Sequence, residues 1–494
     1  MRAAAFLPAG KGAGEGAHAR ARRRQRRRKT ERGIAIIMVV AAISVLTVML
    51  AQFQDDTSAS VASATADRDG LKGEYMARSA VNLARLVIAT EPTVRAAISP
   101  LYMLMKSKPP QLPVWEFSDR LLAAFNDQDS VKDFGSQLGL DMSLGKNLGL
   151  AGGKFQLSIV DEDAKIDVNL GAANDIAHIR LAKELMGLIS PIIYDPMFQD
   201  RDANGQFHDR LQTCAAILDW ADVDEQGFNC DTSTNTPTSS GVEDSSYSLL
   251  LKPYRRKNAP YDSLEELHMV NGVTDDFWST FIDPDPSNPK KRVMTVWGQG
   301  LINVNTANAQ TLLAITCAGA PTADVCTDPT QASAFLLGIT MARGITQGAP
   351  IFGSPQDFLQ MMKGQGQLGP MVTLLGMKPV KFLSDSEFLK SITIESKLFS
   401  IYAVGVVKGY KRETQTHIHA VVDFRNAPEV TGPSMTSVLN SFTGGGGGGA
   451  ASASASASAT NTAYPMSGAG ATSGPITAAT APSPGGQIIF FHIE

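Results

Sequence analysis

The sequence predicts an α+β fold. A long N-terminal helix, transmembrane in its first part and amphipathic in the rest, packs on an antiparallel sheet, and a large, mostly helical insertion interrupts that sheet. Three observations carry this reading. Ile34 to Ala51 is an apolar run broken only by Ser44 and Thr47. Residues 154–160, 166–170, 391–407 and 414–424 alternate polar and apolar side chains as half-buried strands do. Roughly 200 residues of mostly helical sequence separate the first two stretches from the last two.

The apolar run comes first in the chain. At about 1.5 Å rise per residue an 18-residue helix is about 27 Å long, close to the roughly 30 Å of hydrocarbon in a bilayer. Residues 20–32 hold nine Arg or Lys, so the flank before the run is expected to stay cytoplasmic and the chain after Ala51 to lie on the other side. A secretory signal has a shorter apolar region followed by a small-residue cleavage site; here the small residue, Gly33, precedes the run. A plain signal anchor shares the basic flank, and twin-arginine export is disfavoured by the length of the apolar run. Arg32-Gly33 followed at once by Ile34 resembles the type IV prepilin peptidase site, which implies cleavage between Gly33 and Ile34 with the helix retained.

Beyond the anchor, residues 54–90 lack Pro, and Met76, Ala80, Leu83 and Val87 recur at helical spacing. Gly70 and Gly73 are expected to bend this helix slightly, and Pro92 to end its regular part. Residues 97–150 are mixed, with Pro109, Pro110 and Pro113 breaking the pattern and a short helix expected from Trp115 to Phe125. Lys154 to Val160 and Ile166 to Leu170, joined by the acidic turn Asp161-Glu162-Asp163-Ala164-Lys165, read as a hairpin.

With 494 residues the chain has room for two or three domains, and its 43% hydrophobic content is that of a globular protein. The formal net charge of -4 conceals an asymmetry: residues 1–33 carry eleven Lys or Arg against two Glu, so the remainder is about -13. That balance argues against phosphate-backbone binding by the exported part. Cys214, Cys230, Cys317 and Cys326 fall where the topology permits disulfides. Of three connectivities, the local pairs Cys214 with Cys230 and Cys317 with Cys326 are favoured, because each closes a short segment of polar and small residues.

Four motifs in the insertion give the chain a family. Ile217-Leu218-Asp219-Trp220-Ala221-Asp222-Val223-Asp224-Glu225 is followed by Gly241-Val242-Glu243-Asp244-Ser245-Ser246-Tyr247. Then come Pro260-Tyr261-Asp262-Ser263-Leu264-Glu265-Glu266-Leu267 and Ile302-Asn303-Val304-Asn305-Thr306-Ala307. In this order, with the anchor and the Lys165-Ile166-x-x-Asn169 strand return, they resemble the type II secretion system minor pseudopilin K, the general secretion pathway protein K family, over residues 30–425. Most pilins and pseudopilins carry Glu at the fifth mature position; here it is Met38, a departure shared with the K subtype, which is believed to cap the pseudopilus.

The resemblance implies the pseudopilin fold and a non-enzymatic role in assembly. Its expected partners are the other minor pseudopilins, the major pseudopilin, the inner-membrane secretion platform and the prepilin peptidase. It places the chain in the inner membrane by a single span, with its C-terminal domain in the periplasm and no nucleic acid bound. The expected division is a leader at 1–33, the N-terminal helix at 34–95 with its anchor at 34–53, and pseudopilin segments at 96–170 and 386–427. Around these lie the inserted domain at 171–385, with its acidic loop at 219–244, and a low-complexity tail at 428–494.

The residues make physical sense without the family. Asp262 or Ser263, and Asn305 or Thr306, are expected to cap helices, and Asn303 and Asn305, two apart on an extended run, to bond backbone groups on one side. Asp219, Asp222, Asp224, Glu225, Glu243 and Asp244 crowd the two ends of one polar loop, a donor set suited to a hard cation needing six to eight oxygens, although a solvated acidic face reads equally from spacing. The resemblance favours calcium, with Asp219, Asp222, Asp224, Glu243 and Asp244 as its ligands. His417 and His419 share a strand face, read as an ordinary surface pair.

Other chemistry is poorly supported. The chain has no Gly-x-Ser-x-Gly elbow, His-Glu-x-x-His or P-loop. The Ile-Asn-x-Asn-Thr-Ala opening also begins helix-hairpin-helix DNA-binding domains of uptake systems, the alternative reading, but no Lys or Arg lies between Ala307 and Ala342. Gly444 to Gly449, the Ala/Ser alternation after it and the Pro- and Thr-rich stretch to Gly486 predict a flexible linker. The linker ends in Ile488-Ile489-Phe490-Phe491, which can add as a strand to a partner or to this chain's own sheet, or serve no purpose.

Overall fold

The structure is a computed structural model that describes residues 15–104, 108–118, 153–199, 201, 207–231, 239–242, 245–248, 252–346, 348–409, 412–428 and 483–493. It is α+β, with a long apolar N-terminal helix, an antiparallel sheet and many further helices. The chain divides into two compact units between Leu71 and Lys72. Helix α1 (Glu15–Leu104) begins in the first and ends in the second. From Ile34 to Phe53 its large apolar side chains are all more than half exposed, and among the described residues it is the one helix long and apolar enough to cross a membrane.

Pro92 does not end the helix, as its sequence suggested: α1 continues through Pro92 and Pro100 to Leu104. Tertiary contacts outweigh the roughly 3 kcal/mol that an internal proline costs. Ile88 and Ala89 are buried just before it, Glu91 accepts the Leu112 N–H at 3.0 Å, and Arg95 bonds Glu395 at 2.8 Å.

In the second unit α1 packs on one face of a four-stranded antiparallel sheet of β1 (Gly153–Asp161), β2 (Leu398–Lys408), β3 (Glu413–Asp423) and β4 (Gln487–Ile493), in that order. Met76, Ala77, Ala80, Val81, Ala84 and Ile88 meet Phe155, Leu157 and Ile159 of β1, Phe399 and Ile401 of β2, and Ile418, Ala420 and Val422 of β3. The alternation read from the sequence thus selects the buried face. A Cβ on Gly405 would lie 1.9 Å from the Gly73 carbonyl oxygen, so this glycine pair lets helix and sheet backbones touch.

The predicted hairpin is not formed. β1 pairs along its whole length with β2, from Gly153 opposite Val407 to Asp161 opposite Phe399. Ile166 and Asp167 instead pair in parallel with Met294 and Thr295 of the insertion. The cause is the acidic turn, which is buried rather than solvated. Asp161 Oδ2 accepts the hydroxyls of Thr306 and Ser396, each at 2.5 Å. Asp163 accepts the N–H groups of Lys397 at 2.6 Å, Leu398 at 3.1 Å and Gln299 at 3.3 Å. Those bonds turn the chain away from β1 and into the insertion.

The insertion has its own core. Helices α2 (Asp175–Ile189), α3 (Arg210–Asp219), α4 (Ala309–Gly319) and α5 (Pro329–Thr346) bury Leu181, Leu185, Ile217, Leu312, Ile315 and Phe335 together. Two expected caps differ. Asn308, not Asn305 or Thr306, caps α4 by accepting the Thr311 N–H at 2.8 Å, while Asn305 accepts the N–H groups of Ile351 and Phe352. Residues 264–269 form a 3-10 turn without a capping bond from Ser263; Glu266 reaches back to the Asp262 N–H at 2.8 Å. Of the helix expected from Trp115 to Phe125, Val114–Phe117 is a 3-10 turn and Ser118 is α-helical, and residues 119–125 lie outside the described part.

Candidate functional site

The acidic loop is built at the end of α3. Asp209 starts that helix by accepting the Gln212 N–H, and Cys214, fully buried one turn in, bonds Cys230 with Cα atoms 6.1 Å apart. Cys317 and Cys326 are likewise joined, so both favoured pairs are present. The first bridge fixes both ends of the segment that carries Asp219, Asp222 and Asp224.

Within the loop Asp219 Oδ1 accepts the Phe228 N–H at 2.9 Å, and Asp224 Oδ1 accepts the Gln226 N–H at 2.7 Å. Arg256 donates to the Asp224 carbonyl oxygen at 2.7 Å. Asp219 and Asp222 are buried, and no donor among the described residues reaches Asp222 Oδ1. Loss of solvent, aided by the neighbouring carboxylates, pushes Asp219 up to about 7 and Asp222 up to about 6. Glu243 and Asp244, the other two expected ligands, lie outside the described residues. Among the described residues no three His, Cys, Asp or Glu side chains are gathered to hold a metal ion. A buried carboxylate pair with an unbonded oxygen nevertheless fits a cation supplied with further ligands.

The motifs converge around this loop. Trp220 Nε1 donates to Glu266 at 3.3 Å, and its ring meets those of Tyr247 and Tyr254. The Tyr261 hydroxyl donates to the Ile217 carbonyl oxygen at 2.8 Å. Asn169 of the strand return accepts the Tyr261 N–H at 2.7 Å and donates to the Tyr261 and Val296 carbonyls. Asp262 stands at the surface, paired with Lys257. Three sequence motifs spread over some 50 residues, Ile217 to Leu267, are thus one packed unit around Trp220.

Gly33 and Ile34 lie within α1, and Ile34 is the first residue of the exposed apolar stretch. Sequence reasoning missed Glu184, buried on α2 with Oε1 unbonded among the described residues and pushed up to about 8 by loss of solvent. Its place in an amphipathic helix gave no sign, since a lone Glu among polar positions reads as solvated. A groove on the second sheet face was also missed, lined by Tyr402, His417, His419, Trp297, Phe490 and His492. The His417–His419 alternation was visible, but His492 joins them only through β4.

Residues 208–281 match the family model of the type II secretion system protein K. No curated protein matches the chain. Among solved structures, a chain of the GspK-GspI-GspJ complex of the type 2 secretion system from enterotoxigenic Escherichia coli aligns with 16% identity and a TM-score of 0.33, covering 58% of this chain and 78% of that one.

Proposed function

From the type II secretion system protein K domain that residues 208–281 carry, we propose that this chain is a minor pseudopilin, a non-catalytic subunit at the tip of a periplasmic pseudopilus. The observation that carries the reading is the convergence of three family motifs on Trp220 inside the matched segment. Ile34 to Phe53 offers a bare apolar helix for the bilayer and then for the helices of other minor pseudopilins and the major pseudopilin. Packing of α1 on the sheet leaves the insertion as added bulk, which opposes growth beyond this subunit. Met38 fits such a place, because a subunit with none above it has no neighbouring amine to neutralise.

In this reading the prepilin peptidase removes residues 1–33 and the secretion platform extracts the helix. Mass spectrometry of the chain recovered from membranes with an active prepilin peptidase is expected to show a terminus at Ile34, methylated on nitrogen. A chain still beginning at Met1 would remove the assembly mechanism.

The acidic loop is proposed as a calcium site, with Asp219, Asp222 and Asp224 supplying carboxylates alongside Glu243 and Asp244. Calcium there neutralises carboxylates that burial otherwise drives toward protonation. Titration calorimetry on the full-length chain in detergent is expected to show binding that Asp222→Asn weakens at least tenfold. Equal affinity in the two proteins would move the site elsewhere.

A further inference from the structure

β4 is unlike the other three strands. It completes the sheet against β3, from Gln487 opposite Asp423 to Ile493 opposite Ile418, with an irregularity between Ile488 and Phe490. Phe490 meets Trp297 at 5.5 Å and His419 at 5.2 Å, and Arg78 lies over the Phe491 ring. Arg85 donates to the carbonyls of Gly485 at 2.7 Å and Gly486 at 2.8 Å, fixing the entry to the strand. Ile488, Ile489, Phe491 and Ile493 remain 36%, 41%, 38% and 37% exposed. The strand joins the sheet through its main-chain ladder to β3, the mode by which extended segments add to sheet edges.

The path of the chain into β4 is longer than the fold needs. Pro428, after β3, and Pro484, before β4, line the same small cavity with Ile88 and Phe424. Points so close are ordinarily joined by a turn of two to five residues. Here residues 429–483 intervene, with the Gly444 to Gly449 run and the Ala/Ser alternation that predict a flexible linker.

We propose that the outer edge of β3 is a strand-exchange site, at which β4 of a second copy of this chain takes the place of the chain's own. The contacts of β4 to β3, Trp297, Arg78 and Arg85 are all reproduced by a second copy, so exchange keeps them. The local concentration advantage that a linker gives the chain's own strand falls about as the −3/2 power of linker length, so 55 residues give a smaller one than a tight turn does. Chains held close together in a membrane or an assembly offset that advantage. Exchange needs no other component of a secretion system, so it stands or falls separately from the proposed function.

Thiol cross-linking of full-length chains in detergent micelles tests it. His419 and His492 are register partners, and both side chains line the open groove on the second sheet face. A chain carrying both His419→Cys and His492→Cys is expected to link within itself under a short bis-maleimide. Differently tagged chains carrying one substitution each are expected, when mixed, to link to one another in a yield that rises with concentration. Deleting residues 431–480 should preserve the internal link and lower the yield between chains at least fivefold. A full internal link with no product between chains at any concentration would overturn the proposal. So would a yield between chains no higher than that of a His419→Cys chain mixed with a Leu383→Cys chain, whose cysteine is exposed and off the sheet. Failure of the internal link would overturn it as well, by removing β4 from the β3 edge.

Discussion

Asp219 and Asp222 make the acidic loop sensitive to pH in a direction opposite to that of most surface carboxylates. Burial raises both, Asp219 to about 7 and Asp222 to about 6, from an ordinary value of 3.8. Between the unfolded and folded values the native state binds more protons, so stability falls as pH rises from about 4 to about 7 and then levels off. Without calcium, the full-length chain is expected to melt at a lower temperature at pH 8 than at pH 5.5, and Asp219→Asn should remove part of that difference. An unchanged pH profile in the variant would show that Asp219 does not carry the effect. Glu184, pushed up to about 8, acts in the same direction and remains in the variant as an internal reference.

At the scale of elements, the fit of α1 to the sheet rests on small residues. Ala77, Ala80 and Ala84 are fully buried beneath it, and Gly73 and Gly405 bring the two backbones into contact. Gly405→Ala places a methyl 1.9 Å from the Gly73 carbonyl oxygen, a main-chain atom that moves only if the helix moves. The variant is expected to lose about 2 kcal/mol in urea unfolding, as overpacked positions do. Gly70, with nothing within 4 Å of a built Cβ, should accept Ala without loss and serves as the control. The glycines were legible in the sequence, but their role was not, because close approach depends on a strand more than 300 residues away.

Across the whole molecule, two hydrophobic cores, one under α1 and one in the insertion, meet at the buried turn Asp161-Glu162-Asp163. Burial alone would raise Glu162, but Lys165 at 3.0 Å with Ser400 and Thr295 holds it below its ordinary value. Asp163 is raised by burial first and by Asp161 second, yet it collects three N–H groups from both sides of the junction. Asp163→Ala is expected to leave those donors unmatched and to split calorimetric unfolding of the full-length chain into two transitions where the native protein shows one. A single transition in the variant would mean that the cores are coupled elsewhere.

The sequence by itself determined the apolar span, the strands at 154–160 and 414–424, the local disulfides and the motifs of the matched domain; of the strand read at 391–407 only the part from Leu398 joins the sheet, while Ile392 and Thr393 pair with Ile302 and Asn303. These depend on periodicity, short spacing and residue type, all local in the chain. Only the tertiary structure decided that Ile166 leaves the sheet for Met294, that α1 runs through Pro92, that three motifs gather on Trp220, and that Gln487–Ile493 closes the sheet. Each of those outcomes is set by partners far away in sequence. A buried carboxylate, a tolerated proline or an added edge strand is stable only when distant residues supply its hydrogen bonds and cover, and no local pattern records which residues those are.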